Sequence, residues 1–212
     1  LDALARRYES RFAETFKDET LTIRERITDA LVAEVMARGL VDEPVALYEL
    51  IDGMRLAKAH EEDVYASLIA ESGRLELRLR GHGKLAGQFK LTSPFVLEAA
   101  RKHAANFVTG VKRETKRAVR RIMFESIRDG DAPVVAARTI RNVVGLTERH
   151  AIAVQRFAVN NTERGTARYA RKLLNLRARN IARTETIKAS NVGQQEAWKE
   201  MARSNLIDTS RF

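Results

Sequence analysis

Only three prolines occur in 212 residues, and each stands where a helix can begin. Proline lacks a backbone donor and fixes φ, so it breaks a helix interior but is tolerated in the first turn, where that donor has no partner anyway. Pro44 follows Asp42 and Glu43, Pro94 follows Ser93, and Pro133 follows Asp131 and Ala132. Each of these is a capping or acidic start. The chain is rich in Ala, Arg, Glu and Leu, which favour helix. A mainly α fold is expected, an elongated multi-helix assembly.

Apolar periodicity assigns the faces. Leu1, Leu4, Tyr8, Phe12, Phe16, Ile23, Ile27 and Leu31 recur at steps of three, four or seven, one stripe on one long helix that stops at Gly39. That stripe suits either a core or a partner interface. Leu47, Leu50, Ile51, Met54, Tyr65, Leu68 and Ile69 continue the pattern to about Ser72. From Pro94, the positions Phe107, Val111, Ala118, Val119, Ile122 and Ser126 lead to a stop at Gly130. A short helix follows from Pro133 to Val143, closed by Gly145. Thr147 with Glu148 begins another, with Ala151, Val154, Phe157 and Ala158 inward. The last helix runs from about Arg164 to Arg203, interrupted once, if at all, near Asn175.

Residues 73–92 depart from this pattern. Leu75, Leu77 and Leu79 alternate with Glu76 and Arg78, Gly81, His82 and Gly83 supply a turn, and Leu85 to Leu91 can return. A small β-hairpin is therefore expected near residues 74–91. On this reading the chain divides into a long-helix region (1–72), a hairpin or linker arm (73–92) and a basic helical domain (93–212).

Several function classes find no support. With no cysteine there is no disulfide framework and no thiolate metal site. No apolar run approaches the ~20 residues that span a bilayer, and no secretory pattern opens the chain. A start at Leu1 rather than Met reads as part of something longer. His60, His82, His103 and His150 are scattered, none at the i, i+4 spacing of a helical metal pair. Successive residues of a helix point different ways, so His60, Glu61, Glu62 and Asp63 read as a wet face. Gly81, His82, Gly83 and Lys84 lack the spacing and hydroxyl of a phosphate loop. Arg183, Thr184 and Glu185 suggest an NAD-using transferase only superficially, because the outer two point about 200° apart on a helix. No catalytic residue, metal or cofactor is expected.

Charge is the more informative signal. Residues 1–100 carry 14 basic and 18 acidic side chains, whereas residues 101–212 carry 24 and 10. Lys112, Arg113, Lys116, Arg117, Arg120 and Arg121 form one ridge at helical spacing, and Arg164, Arg168, Arg171 and Lys172 form a second. Arg177, Arg179, Arg183 and Lys188 extend the second. Such ridges suit phosphate contacts, which supply affinity without reading sequence. Tyr169 is the one aromatic between 164 and 188, which argues against base stacking and for plain electrostatics. The competing reading is that these arginines pair with Glu114, Glu163 and Glu185, or with an acidic partner protein.

The run Arg177-Ala178-Arg179-Asn180-Ile181-Ala182-Arg183-Thr184-Glu185-Thr186, with Ala189, Asn191, Gly193 and Trp198 after it, resembles the signature of the phage head morphogenesis family, the Mu F-like minor capsid proteins. Ile127-Arg128-Asp129-Gly130, the short helix to Val143 and Gly145-Leu146-Thr147 resemble its order of elements, as do Ser93-Pro94, Ala104-Ala105 and Val108-Thr109-Gly110. The resemblance covers roughly residues 93–203. It implies a non-enzymatic virion protein in a few copies near the portal vertex of a tailed-phage head, present in the host cytoplasm during assembly. Its implied role is in head assembly and in DNA packaging or ejection. The implied partners are the portal protein, with the major capsid protein as a second candidate, and double-stranded DNA held non-specifically. No membrane is implied.

Within that motif Ile181, Thr184, Ile187, Asn191, Gln194, Trp198 and Met201 fall at three- and four-residue steps and read as the inward stripe of the last helix. Arg179, Ile181, Arg183, Thr184, Glu185, Asn191 and Trp198 are thus expected to be structural. Arg179 and Arg183 share a face and can grip one carboxylate. The rival functional reading is a protein that coats or condenses DNA without any portal.

Overall fold

A computed structural model describes residues 1–38, 44–54, 62–90 and 93–206, except the side chains of 62–64, 103–105 and 107. The expected stop at Gly39, the acidic start at Asp42 and Glu43, and the wet face at His60 to Asp63 lie outside the described residues, as does the far end of the expected hairpin at Leu91.

Helix makes up 86% of the structure, and no strand occurs among the described residues. These residues form α1 (Asp2–Arg26), α2 (Asp29–Ala37), α3 (Val45–Asp52), α4 (Glu62–Leu79), α5 (Gly83–Gln88), α6 (Pro94–Asp129), α7 (Pro133–Val143), α8 (Glu148–Val159) and α9 (Glu163–Arg203). Helix starts follow local chemistry. Pro133 occupies the first turn of α7, and the Thr147 hydroxyl caps α8 by accepting from the His150 amide at 3.3 Å. Gly130 and Gly145, at φ +72° and +79°, take the left-handed conformation that follows α6 and α7.

The β-hairpin is a correction. α4 runs through the alternating leucines to Leu79, and α5 covers Gly83–Gln88. Only Leu77 of the three is buried, Leu75 and Leu79 being 40% and 74% exposed. Three alternations are too short a signal to outweigh composition. Leu, Glu and Arg favour helix, and the stretch has none of the β-branched residues that favour a strand. As a helix it also places Arg80 on Glu76 at 2.5 Å, an i, i+4 pair.

The first stripe spans two helices rather than one. Thr28 adopts an extended conformation (φ −87°, ψ 159°) and its hydroxyl accepts from the Leu31 amide at 3.1 Å, starting α2. α9 has no break at Asn175.

The chain forms two compact units built from separated stretches. Unit 1 comprises Leu1–Ala13, Ala57–Asn106 and Arg179–Phe212, and unit 2 comprises Glu14–Leu56 and Phe107–Ala178. The linear division at 72 and 92 does not describe them, because α1, α6 and α9 each contribute to both.

Unit 1 buries Tyr8, Phe12, Tyr65, Leu68, Ile69, Leu77 and Phe89. The Tyr8 and Tyr65 rings lie 5.6 Å apart. Burial raises both phenols well above their ordinary pKa, and the Glu185 carboxylate raises them further. α4 and α9 meet at small residues, where Ser72 and Ser190 hydroxyls are 3.0 Å apart and Gly73 adjoins Gly193. Unit 2 buries Phe16, Ile23, Ile27, Val32, Leu47, Ile51, Ile122, Ile140, Leu146 and Val154. The apolar stripe of α1 is therefore core in both.

Candidate functional site

In unit 2, the exposed side of α6 carries the first basic ridge. Arg113, Arg117 and Arg120 are exposed there and Lys112 and Lys116 half-buried. With Thr109 they line an open depression of about 450 Å³, completed by Tyr48 and Asp52 of α3. Lys112 Nζ donates to the Asp52 carbonyl at 2.5 Å, and Lys116 Nζ to the Asp52 carboxylate at 2.7 Å. The Lys116 ammonium also lies 5.2 Å from the Tyr48 ring centroid. Arg113 and Arg117 form no ion pair with any described residue. Arg121 belongs to a different environment: it pairs with Glu125 at 2.9 Å and Glu148 at 3.1 Å, both carboxylates raising its pKa.

The second ridge lies on the unit 2 part of α9. Arg164, Arg168, Arg171 and Lys172 are all exposed and form no ion pair among the described residues. Of the three acids in the competing reading, Glu114 and Glu185 pair with members of the extended run, Arg177 and Lys188, and Glu163 pairs outside it. Glu114 pairs with Arg177 at 2.7 Å, Glu163 with Arg138 at 2.9 Å, and Glu185 with Lys188 at 2.8 Å.

Arg177 is thus no part of a surface ridge, a second correction. Its side chain is buried, donates to the Gly145 carbonyl at 2.6 Å and to Glu114, and lies 5.7 Å from the Phe16 ring centroid. Burial pulls its pKa down to about 10, against the Glu114 carboxylate, which holds it up. At neutral pH it remains charged. Arg24 of α1 acts on the same loop, donating to the Asn142 and Val144 carbonyls at 3.2 and 3.1 Å. Burial and the neighbouring Arg171 charge lower it to about 10. These two arginines hold the segment between α7 and α8, and Arg141 ties α7 to the link between α1 and α2 by donating to the Ile27 carbonyl at 2.8 Å.

His150 sits beside that clamp, its Nδ1 buried without a hydrogen-bond partner among the described residues. Burial, Arg177 and Arg149 lower its pKa. A depressed histidine is neutral in the folded protein while the unfolded chain still takes up protons, so stability falls as pH drops through about 6.5 toward the folded value. The urea midpoint is expected to fall between pH 7.5 and pH 5.5, and to fall less in His150→Gln.

In unit 1 the motif residues of α9 are turned by about one position from the expected stripe. Ala182, Glu185, Ala189, Val192, Gly193, Glu196 and Ala197 face inward. Arg179, Arg183, Thr184 and Asn191 are exposed, Ile181 half-buried, and Ile187 is 53% exposed. Close approach to α4 selects the small side chains rather than the largest ones. Of the seven motif residues only Glu185 is buried. Trp198, 38% exposed, donates from Nε1 to Glu76 at 2.8 Å, and Arg80 lies 5.1 Å over its ring. The Trp198 hydrogen bond and Arg80 hold the Glu76 carboxyl below its ordinary pKa.

Tyr48, Asp52 and Thr109 complete the depression without any signal in the sequence. Tyr48 and Asp52 are a turn apart on α3, yet nothing local ties them to α6, over 50 residues away. No group of three or more His, Asp or Glu suited to a metal ion occurs among the described residues, and no described helix is long and apolar enough to cross a membrane. Comparison with protein-family models, with curated proteins and with solved structures yields no match.

Proposed function

We propose that the chain is a non-enzymatic structural component of a tailed-phage head, acting beside the portal and holding duplex DNA by its phosphates. The observation that carries the DNA part is the uncompensated charge of unit 2. Arg113, Arg117, Arg164, Arg168, Arg171 and Lys172 have no ion pair among the described residues, while Glu114, Glu163 and Glu148 are held by other cations. Cations without carboxylate partners are free to release counterions on meeting phosphate. The portal part rests on the motif from Arg177 to Trp198. Its exposed Arg179, Arg183, Thr184 and Asn191 support recognition of a partner more than a role in the core.

Titration of a labelled 30-base-pair duplex from 50 to 300 mM salt tests the DNA part. The logarithm of affinity is expected to fall linearly with the logarithm of salt. Arg164→Gln with Arg168→Gln should flatten that slope by about 2 and cost about tenfold or more at 100 mM salt, at about 0.9 per lost phosphate contact. A slope unchanged by these substitutions sinks it. Sedimentation with the portal protein of the same phage tests the other half. Co-migration lost in Arg179→Ala with Arg183→Ala supports the motif as the contact, whereas tight duplex binding with no portal association favours the DNA-coating reading.

A further inference from the structure

We infer that the C-terminal end of α3 is an internal competitor for the phosphates taken by the α6 face, with Asp52 standing where a phosphate would. This rests on the reading of that face as a phosphate surface. The two lysines of the ridge, Lys112 and Lys116, stand one turn apart and are both engaged by one residue. Lys116 holds the Asp52 carboxylate at 2.7 Å and Lys112 its carbonyl at 2.5 Å. Asp52 is also the last residue of α3, so the negative end of a helix dipole adds to its own charge. The Tyr48 face, one turn earlier on α3, completes a cation seat for Lys116. One α3 terminus thus presents to the ridge an anion, a carbonyl and an aromatic face.

The seat is reversible by construction. The Asp52 side chain is 55% exposed and the Lys116 side chain 28%, so water screens the pair. A single phosphate gains little by replacing a carboxylate already in place. A duplex that also engages Arg113 and Arg117 adds contacts for which α3 offers no substitute, and it can displace Asp52. The α6 face would therefore favour a polyanion over isolated phosphates.

Asp52→Asn removes the competitor and leaves the shape. Duplex affinity at 100 mM salt is expected to rise about five- to tenfold, with a slope steeper by about 1 as Lys116 is freed from the carboxylate, the carbonyl that holds Lys112 being unchanged in asparagine. Glu49→Gln makes the same charge change three residues earlier on α3 and should alter affinity less than twofold. Adding Lys112→Gln and Lys116→Gln to Asp52→Asn should cancel the gain, with circular dichroism confirming that each variant is folded. Equal gains from Asp52→Asn and Glu49→Gln would reduce the effect to net charge and overturn the inference. Duplex binding by the unmodified protein with no change in Asp52→Asn overturns it too, while leaving the phosphate surface intact. Failure of both proteins to bind duplex at 50 mM salt removes that surface and the inference with it.

Discussion

Gly193→Leu is expected to unfold unit 1. A Cβ on Gly193 would collide with the Ile69 carbonyl oxygen and lie 2.8 Å from Ser72 Cβ and 3.0 Å from the Gly73 amide nitrogen. Two of these three are backbone atoms of α4, which cannot swing aside as a side chain tip can. Even Gly193→Ala forces the helices apart, and overpacking of this kind costs about 1–3 kcal/mol. Alanine returns about 1 kcal/mol through its better helix propensity, so the net sign stays unfavourable. Leucine adds three further carbons at the same place and should exceed about 5 kcal/mol, comparable with the whole stability of a small domain. Trp198 offers the readout, being the chain's one tryptophan and hydrogen-bonded to Glu76 of α4. Its fluorescence should move from a cooperative urea transition to an unfolded baseline in Gly193→Leu. A native-like transition would show that α4 and α9 do not meet there.

Arg177→Ala is expected to be the most damaging single change among the basic residues. It strips the buried Gly145 segment of the guanidinium that donates to its carbonyl at 2.6 Å, and an unsatisfied buried acceptor costs about 1–3 kcal/mol. It also empties the space beside Phe16. The Glu114 side chain is 50% exposed and can return to water, which limits the electrostatic penalty. A total near 3 kcal/mol follows, about the size of other buried network losses. Arg177→Lys keeps the charge but lacks the planar fork that reaches two acceptors at once, and should fall between. Urea midpoints by circular dichroism check the order. Duplex affinity of the folded protein should stay unchanged, in contrast to Arg164→Gln with Arg168→Gln. Equal stability of Arg177→Ala and the unmodified protein would refute the clamp.

Arg177 and Gly193 are hidden in the sequence for different reasons. Arg177 looked like one more member of a basic run, and no spacing rule separates a buried arginine from its exposed neighbours. Its burial follows from an acceptor at Gly145 and an acid at Glu114, 32 and 63 residues away. Gly193 appeared only as a letter in the family-like motif. On α9 apolar spacing favours Ile187 and Trp198 as the inward face, whereas close helix packing buries Ala182, Ala189 and Gly193; of the expected stripe Met201 is buried. The ridges at 112–120 and 164–172 were legible because exposure on a helix repeats with the helix. Their freedom from carboxylate partners was not, since that depends on where Glu114, Glu163 and Glu148 end up.

The sequence by itself determined that the chain is helical and where α6, α7 and α8 begin. Prolines, capping hydroxyls and left-handed glycines act within one turn and need no tertiary partner. It also determined which face of α1 is apolar, because Tyr8, Phe12, Phe16 and Ile23 repeat without competition from charge. Only the tertiary structure decided which side of α9 is buried and which cations are left unpaired. Those outcomes turn on contacts between segments tens of residues apart, whose energies no local window contains.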